Sequence, residues 1–415
     1  MLVYVLNKNR KPLMPCKPQK ARKLLRNGKA KVIRREPFTI QLLYGSSGYR
    51  QHITLGVDAG SKHIGLSATT SKKELFAGEV KLRTDIVNLL STRRQFRRSR
   101  RSRKTRYRKS RFLNRVHSKH KGWLAPSIEN KIQCHLSIVA KLHKILSIDK
   151  VIVETASFDI QKIKNPNIQG DEYQKGEQLG FWNIREYVLF RDVHKCQCCK
   201  GKSRDKVLNV HHIESRRTGG NAPNNLITLC ETCHKGTVKL PKSIKRGASF
   251  RDAAFMGIMR WSFYNKLKEL YPNVSMTFGY ITKNTRIRAG LPKEHYVDAR
   301  CISGNALAKP LGCYYYYQKV RRNNRQIHKA KILKGGKRKN NQAPFIVKGF
   351  RLFDRVKYQR RLYYIFGRRS SGAFDIRTLE GEKVNKGSIN CKYLQLINFR
   401  KTWLIERRSV VSSHD

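Results

Sequence analysis

Residues 51–69 read QHITLGVDAGSKHIGLSAT. Ile53, Leu55 and Val57 alternate along a strand, and Asp58 closes it just before Gly60, so a carboxylate lands at the carboxyl end of a strand. GEVKL (78–82) then continues the sheet as a meander would. The pattern recurs at KVIVETASFD (150–159), a short β-branched strand that puts Glu154 at its end. A third segment, LPKEHYVDARCISGNAL (291–307), reads as a helix with Pro292 in its first turn, on which His295 and Asp298 are three apart and share a face. Three distant segments thus offer carboxylates to one sheet edge. Such a cluster suits two Mg2+ ions that stabilise the attacking and leaving oxygens of an in-line displacement. VDAG alone is weak, since sugar kinases and actin-like ATPases use a similar strand-Asp-x-Gly. The ordered set of three carries the reading.

The chain's 415 residues hold 90 Lys+Arg against 27 Asp+Glu, a net charge of +63. No internal salt-bridge network neutralises more than a minority of those cations, so most of the charge must face a polyanion, and nucleic acid is the expected partner. The length predicts two or more domains, and 39% apolar residues suffice for packed cores. No apolar run approaches the ~20 residues of a membrane span, and the start MLVYVLNKNRKPLMP lacks the apolar core of a secretory signal. A cytoplasmic, nucleoid-associated protein without a membrane partner is expected.

Much of the charge sits in RRQFRRSRRSRKTRYRKSRFLNR (93–115), with eleven Arg, two Lys and no acid. The run has neither Pro nor Gly, and arginine is a good helix former. Such a helix repels itself until phosphates neutralise it. The candidate nucleic-acid-binding residues are Arg93, Arg94, Arg97, Arg98, Arg100, Arg101, Arg103, Arg106, Arg108, Arg111 and Arg115, whose guanidinium forks grip phosphate bidentately as lysine cannot.

Cys196-x-x-Cys199 and Cys230-x-x-Cys233 give four thiolates in two knuckles, the arrangement of a closed structural zinc site. Cys198 is expected to be a bystander. Between the knuckles, VLNVHHIES reads as a strand ending in His211-His212, and NNLITLCETCHKG as a strand or turn running into a helix with His234. A neutral His can take a proton from water, and neighbouring groups can hold a divalent ion against a phosphate. The residues His211, His212, Asn225 and His234 match the His-Asn-His (HNH) nuclease motif. A zinc ribbon whose histidines only bind phosphate is the competing reading.

Elsewhere, LVYVLN predicts a strand, KPLMP a Pro-bounded turn, PQKARKLLRNGKA a helix ended by Asn27-Gly28, and FTIQLLY a return strand. After Pro126, Ser127 is expected to cap a helix whose Ile128, Ile132, Leu136, Val139, Leu142 and Leu146 form the packing face. KIKNPNIQGDEYQKGEQLG reads as a linker into the cysteine module and KLPKSIKRG as one out of it, which makes the module an insert. Beyond it come a helix over FRDAAFMGIMRWSFYNKLKELYP and a strand over VSMTFGYIT. From Lys309 onward short alternating strands suggest a small barrel or twisted sheet, with Tyr314 to Tyr317 a core strand.

The order strand-acid, Arg-rich helix, strand-acid, inserted HNH module, His-x-x-Asp resembles the IscB family of transposon-encoded RNA-guided nucleases, relatives of the large CRISPR effector with the same two nuclease domains. The resemblance spans essentially the whole chain, KPLMP included. It implies an α/β multidomain fold: a split RNase H-like (RuvC) core, an inserted zinc-containing ββα-metal HNH domain, an Arg-rich bridge helix and a C-terminal β-rich domain. The expected bounds are 1–50 for a PLMP-like module, 51–92, 116–160 and 249–308 for the RuvC segments, 93–115 for the bridge helix, 161–248 for the linkers and HNH domain, and 309–415 for a region that reads a target-adjacent motif.

The resemblance further implies catalytic Asp58, Glu154, His295 and Asp298, with Mg2+ at the RuvC and HNH sites. It implies His212 as general base, His211 and His234 at the metal and Asn225 as the orienting residue, although the adjacent histidines leave open which takes the proton. A noncoding guide RNA and double-stranded target DNA are the implied partners of a monomeric protein in a prokaryotic ribonucleoprotein. HNH would cut the guide-paired strand and RuvC the displaced one. The alternatives are a catalytically inactive RNA-binding protein of the same family and a protein-guided HNH endonuclease.

Overall fold

The computed structural model describes residues 2–46, 48–101, 123–155, 178, 180–181, 183–214, 221–235, 244, 247, 251–321, 331–336, 338–339 and 343–410. The chain divides into two compact units, one of Met1–Ala156 with Met259–Asp415 and the other of Ser157–Ile258. The cysteine module is therefore an insert, as its flanking linkers predict. Most of the first expected linker lies outside the described residues.

The first unit opens with a four-stranded sheet in the order β2-β1-β4-β3, built from β1 (Val3–Leu6), β2 (Pro12–Cys16), β3 (Ala30–Arg34) and β4 (Thr39–Leu42). The helix α1 (Pro18–Arg26) takes Pro18 in its first turn and ends at Asn27, with Gly28 at φ +66°, the left-handed conformation glycine adopts without penalty. KPLMP is not the expected turn: Pro12–Cys16 pairs antiparallel with β1, Val5 opposite Leu13 and Leu6 opposite Pro12. The strand sits at the sheet edge, where a missing N–H does no damage.

The centre is a seven-stranded sheet in the order β11-β8-β5-β6-β7-β12-β20. Its strands are β5 (Thr54–Ala59), β6 (His63–Thr69), β7 (Glu74–Lys81), β8 (Lys150–Thr155), β11 (Val274–Phe278), β12 (Cys313–Lys319) and β20 (Trp403–Ser409). β5, β6 and β7 form the expected antiparallel meander. On the other side of β5, β8 runs parallel to it and β11 parallel to β8. Every residue of β5 is buried, so Thr54, Gly56 and Asp58, which alternate with the apolar side chains, are covered as well.

Two further strands come from beyond Lys309: β12 pairs parallel with β7, and β20 antiparallel with β12. Tyr315, Tyr316 and Tyr317 are buried there, as a core strand requires. The intervening chain forms the short β13 (Lys331–Ile332) and β14 (Arg338–Lys339) pair and a five-stranded antiparallel sheet in the order β18-β17-β16-β15-β19. The latter comprises β15 (Arg355–Tyr358), β16 (Arg361–Arg368), β17 (Ala373–Arg377), β18 (Ile389–Asn390) and β19 (Gln395–Asn398). Val356, Ile365, Phe374 and Ile376 form its core.

Helices α2 (Ile86–Arg101), α3 (Pro126–His143), α6 (Arg251–Leu270), α7 (Gly279–Arg288) and α8 (His295–Ile302) complete this unit, α6 from Met259 onward. Four expectations are corrected. α3 starts at Pro126 with Ala125 as its N-cap, so Ser127 is inside the helix: proline at the first helical position loses no hydrogen bond and sets the start itself. Its core face is Ile132, Cys134, His135, Ile138, Val139 and Leu142, while Leu136 is only half-buried. VSMTFGYIT is not one strand, because β11 ends at Phe278 and α7 begins at Gly279. Pro292 precedes α8, whose N-cap is Glu294.

α8 lies directly on β5 and β6. A Cβ on Gly56 would meet the Ala299 carbonyl oxygen at 1.9 Å, and one on Gly65 the His295 carbonyl oxygen at 1.8 Å. No side chain fits between helix and sheet at either point. Gly56→Ala or Gly65→Ala should destabilise the protein by about 3 kcal/mol or more, the upper end for overpacked sites. Gly45→Ala, with nothing within 4 Å, should leave the thermal midpoint unchanged.

Candidate functional site

Asp58 and Glu154 are the penultimate residues of β5 and β8, adjacent parallel strands, and α8 brings His295 and Asp298 to the same end. His295 Nδ1 is 2.7 Å from Asp58 Oδ2. Burial pushes the Glu154 carboxyl above its usual range, and Asp58 then adds to the rise while Arg260 opposes it. Burial likewise raises Asp298, opposed by Arg286 and reinforced by Asp58. The hydrogen bond to Asp58 raises His295. Asp58 thus disfavours ionisation of both Glu154 and Asp298, and the three carboxyl groups form one electrostatic cluster.

Residues that sequence reasoning missed neutralise this cluster. Arg260, buried on α6, places Nη2 3.0 Å from Glu154 Oε1 and donates from Nε to the Ala59 carbonyl. Arg286 on α7 approaches Asp298 at 2.8 Å. Gly279 lies against Glu154, with a Cβ there only 3.4 Å from Oε1. His63 stacks on His295, centroids 5.1 Å apart and planes 3° from parallel, and places Nδ1 2.7 Å from Glu79 Oε1. His63, Glu79 and His295 offer ligand atoms within 4.8 Å of one another. The local signal for His63 was its position in the SKHIG strand; the arginines gave none, because their partners are far along the chain. His135 on α3 is fully buried and its pKa is pushed down to about 4, mainly by burial, so it stays neutral beside the acids. The carboxylate oxygens are hard donors of the kind Mg2+ prefers, and their mutual destabilisation is what a divalent ion would relieve.

In the second unit, α4 (Ile184–Arg191) is capped by the Asn183 side chain, which accepts from the amides of Arg185 and Glu186. β9 (Leu208–His212) and β10 (Leu226–Cys230) form an antiparallel ribbon, with His211 opposite Ile227 and His212 opposite Leu226. α5 (Glu231–Lys235) follows, completing a strand-strand-helix unit. The buried Asp192 ties α4 to the ribbon by accepting the Thr228 amide at 2.8 Å.

The adjacent histidines point to opposite faces of the strand. His211 meets His234 edge to face, centroids 5.3 Å apart. Burial first, then the charges of His234 and His212, lower the His211 pKa, which favours the neutral ring that coordinates a metal. His212 Nε2 lies 3.0 Å from Asn221 Oδ1. The buried Asn225 accepts the Glu214 amide at 2.9 Å and donates to the Glu214 carbonyl at 3.0 Å, while its backbone oxygen accepts the Ile213 amide. It fixes the chain just after His212.

The Sγ atoms of Cys196, Cys199, Cys230 and Cys233 lie within 4.8 Å of one another. Cys199 and Cys230 are 3.7 Å apart, near the edge of about 3.8 Å that Zn–S bonds of about 2.3 Å give a tetrahedron. Hydrogen bonding with Ser203 lowers Cys199 to about 5, whereas Cys230 heads the causes that push Cys233 up. Four clustered thiols cannot all ionise without a cation, and zinc supplies one. Cys198 is outside the cluster, as expected of a bystander.

On α2, Arg93, Arg94, Arg97 and Arg98 are exposed, and the helix continues through Arg100 and Arg101. It starts at Ile86, before the Arg run. Arg103, Arg106, Arg108, Arg111 and Arg115 lie outside the described residues. Among the described residues, no helix is long and apolar enough to cross a membrane.

Residues 3–176 match the RRXRR protein family and residues 196–237 the HNH endonuclease family. Arg97-Arg98-Ser99-Arg100-Arg101 has the spacing of the first family's name. No curated protein matches the chain. Among solved structures, similarity extends to Streptococcus thermophilus Cas9 in complex with the AGAA PAM, at 13% identity and TM-score 0.32, over 44% of this chain and 26% of that one. The same enzyme with the GGAA PAM gives 14% and 0.32 over 51% and 30%. The Type II-C Cas9 enzyme from Actinomyces naeslundii gives 11% and 0.21 over 61% and 60%. The match thus spans less than two thirds of each relative's length. Residues 196–237 therefore carry an HNH endonuclease domain.

Cys230→Ser should abolish stoichiometric zinc binding and melt the second unit, since structural zinc in small modules contributes on the order of 10 kcal/mol. Metal analysis and tryptic protection of residues 183–235 read this directly. A zinc-free but protected module would contradict it.

Proposed function

We propose that this nuclease is an RNA-guided DNA endonuclease of the IscB type, which holds a noncoding guide RNA and cuts double-stranded DNA beside a short target-adjacent motif. The observation that carries the reading is the convergence of Asp58, Glu154, Asp298 and His295 at one end of β5 and β8, in a chain whose inserted unit holds a separate HNH domain. Two hydrolytic centres suit an enzyme that opens a duplex and cuts each strand. The strand order β7-β6-β5-β8-β11, an antiparallel meander followed by two parallel strands, supports an RNase H-like RuvC core. The exposed arginines of α2 support its role as the bridge helix on RNA.

In the RuvC site, Asp58, Glu154 and Asp298 would hold Mg2+, which supplies charge stabilisation for both oxygens of the displacement. His295, held by Asp58 through Nδ1, presents its other ring nitrogen to water or to the scissile phosphate. Arg260 and Arg286 partner the acids before metal binds and fix their rotamers. In the HNH site, His211 and His234 share a side and would hold the metal, and His212 is the proton acceptor. Asn221 orients that ring, and Asn225 fixes the strand end beneath it. The domain order expected from the sequence is kept in this reading, with β12 and β20 from beyond Lys309 added to the core sheet and the zinc in the HNH domain structural. A net charge of +63 suits a protein that holds nucleic-acid backbones while base pairing reads the sequence.

Asp58→Ala should leave a nick only in the guide-paired strand and His212→Ala a nick only in the displaced one, both read on strand-labelled plasmid or oligonucleotide duplexes. A double-strand break by either variant would refute the assignment of one site to each strand.

A further inference from the structure

The five-stranded sheet carries a cluster that neither nuclease centre uses. Asp354, fully buried, accepts the backbone amides of Arg351 at 2.8 Å and Arg400 at 2.6 Å, so its carboxylate joins two loops and is committed to backbone donors. The two side chains then lie over exposed rings. The Arg351 guanidinium is 5.0 Å from the Phe399 centroid and 5.8 Å from that of Phe345, and Arg400 is 5.8 Å from Phe345. Arg368 donates to the Phe345 carbonyl. Phe345 is 40% exposed and Phe399 56%, so both rings keep a face open to solvent.

The charge is unbalanced. Burial and then Arg400 push the Arg368 pKa down, and burial also lowers Arg400, with Arg351 adding to the fall. Arg321 joins the group: burial lowers it, Asp85 opposes, and Arg83 and Arg400 lower it further. Among the described residues, the buried Nε atoms of Arg321 and Arg351 have no hydrogen-bond partner. Phe399 and Arg400 also line a cavity of about 260 Å³ with Arg35, Arg355, Lys401 and Trp403. Guanidiniums gathered over exposed rings form a preorganised anion site. Flat rings exposed beside them select an anion that carries a flat apolar face.

We propose that Arg321, Arg351, Arg368 and Arg400, with Phe345 and Phe399, clamp the phosphodiester backbone of a single nucleic-acid strand and stack one of its unpaired bases on the exposed rings. A duplex keeps its bases stacked inside and cannot use the rings, whereas single strands combine phosphate contacts with ring stacking in this way. The clamp rests on the nucleic-acid-binding part of the reading above and is independent of guided cleavage.

The test uses the full chain without added Mg2+ and fluorescent single-stranded RNA, single-stranded DNA and duplex DNA, with affinity measured across a salt series. Arg351→Gln with Arg400→Gln should lower the slope of log affinity against log salt by about 1.4 on one single strand, from about 0.7 for each phosphate no longer neutralised. The strand affected identifies the source as RNA or DNA. Phe399→Ala should weaken the same strand by roughly 5-fold to 150-fold, from about 1–3 kcal/mol per stacked base, with the slope unchanged. If the first pair lowers the melting temperature, Arg321→Gln with Arg368→Gln reads the same slope. A wild-type slope on both single strands, or an equal loss on the duplex, would overturn the clamp. Failure of the wild-type chain to bind any of the three would instead overturn the nucleic-acid reading itself.

Discussion

Helix α8 rests on backbone. At Gly56 and Gly65 the carbonyl oxygens of Ala299 and His295 occupy the space a Cβ would fill, so the helix sits a side chain's thickness closer to the sheet than ordinary helix-sheet packing permits. That closeness sets the site. His295 reaches Asp58 at 2.7 Å, and Asp298 comes near enough for Asp58 to raise its carboxyl pKa. A helix lifted by one methyl group would separate the last acid from the first two.

The cluster has to be assembled against electrostatics, because three acids at one sheet end repel. The fold answers with arginine: buried Arg260 bridges Glu154 and the end of β5, and half-buried Arg286 holds Asp298. Buried carboxylates left without cations would each be penalised by several kcal/mol. The same logic runs through the inserted unit with a different solution. Its core is small, centred on Cys196, Ile227, Leu229 and Cys230, and the thiols crowd together where a metal would complete them. Such modules gain from a cation what they lack in buried apolar area.

Much of this was legible in the sequence. The acids of VDAG and VIVETA are read correctly at strand ends because β-branched runs stop at polar residues, and His295 and Asp298 because their spacing is helical. The paired Cys-x-x-Cys knuckles gave the thiol cluster by spacing alone. What stayed hidden depends on partners far along the chain. Nothing in GIMRWS marks Arg260 as the partner of Glu154, and nothing around Gly56 in the sequence marks it as the point where a helix lands. PLMP looked like a turn because proline breaks strands in general, yet at a sheet edge it need not. VSMTFGYIT kept its β-propensity past Phe278, where packing beside Glu154 turned the chain into a helix.

The Arg run and the Arg-Phe cluster show the charge in two arrangements. On α2 the guanidiniums are exposed and spread along a helix, suited to following a backbone; near Asp354 they are half-buried and held in place. The central claim, however, is that α8 completes a carboxylate centre for divalent metal. Anomalous scattering from crystals soaked in Mn2+ tests it most directly. The account predicts manganese density among Asp58, Glu154 and Asp298 that disappears in Asp58→Asn; a chain that cuts both strands while no manganese binds there would contradict it.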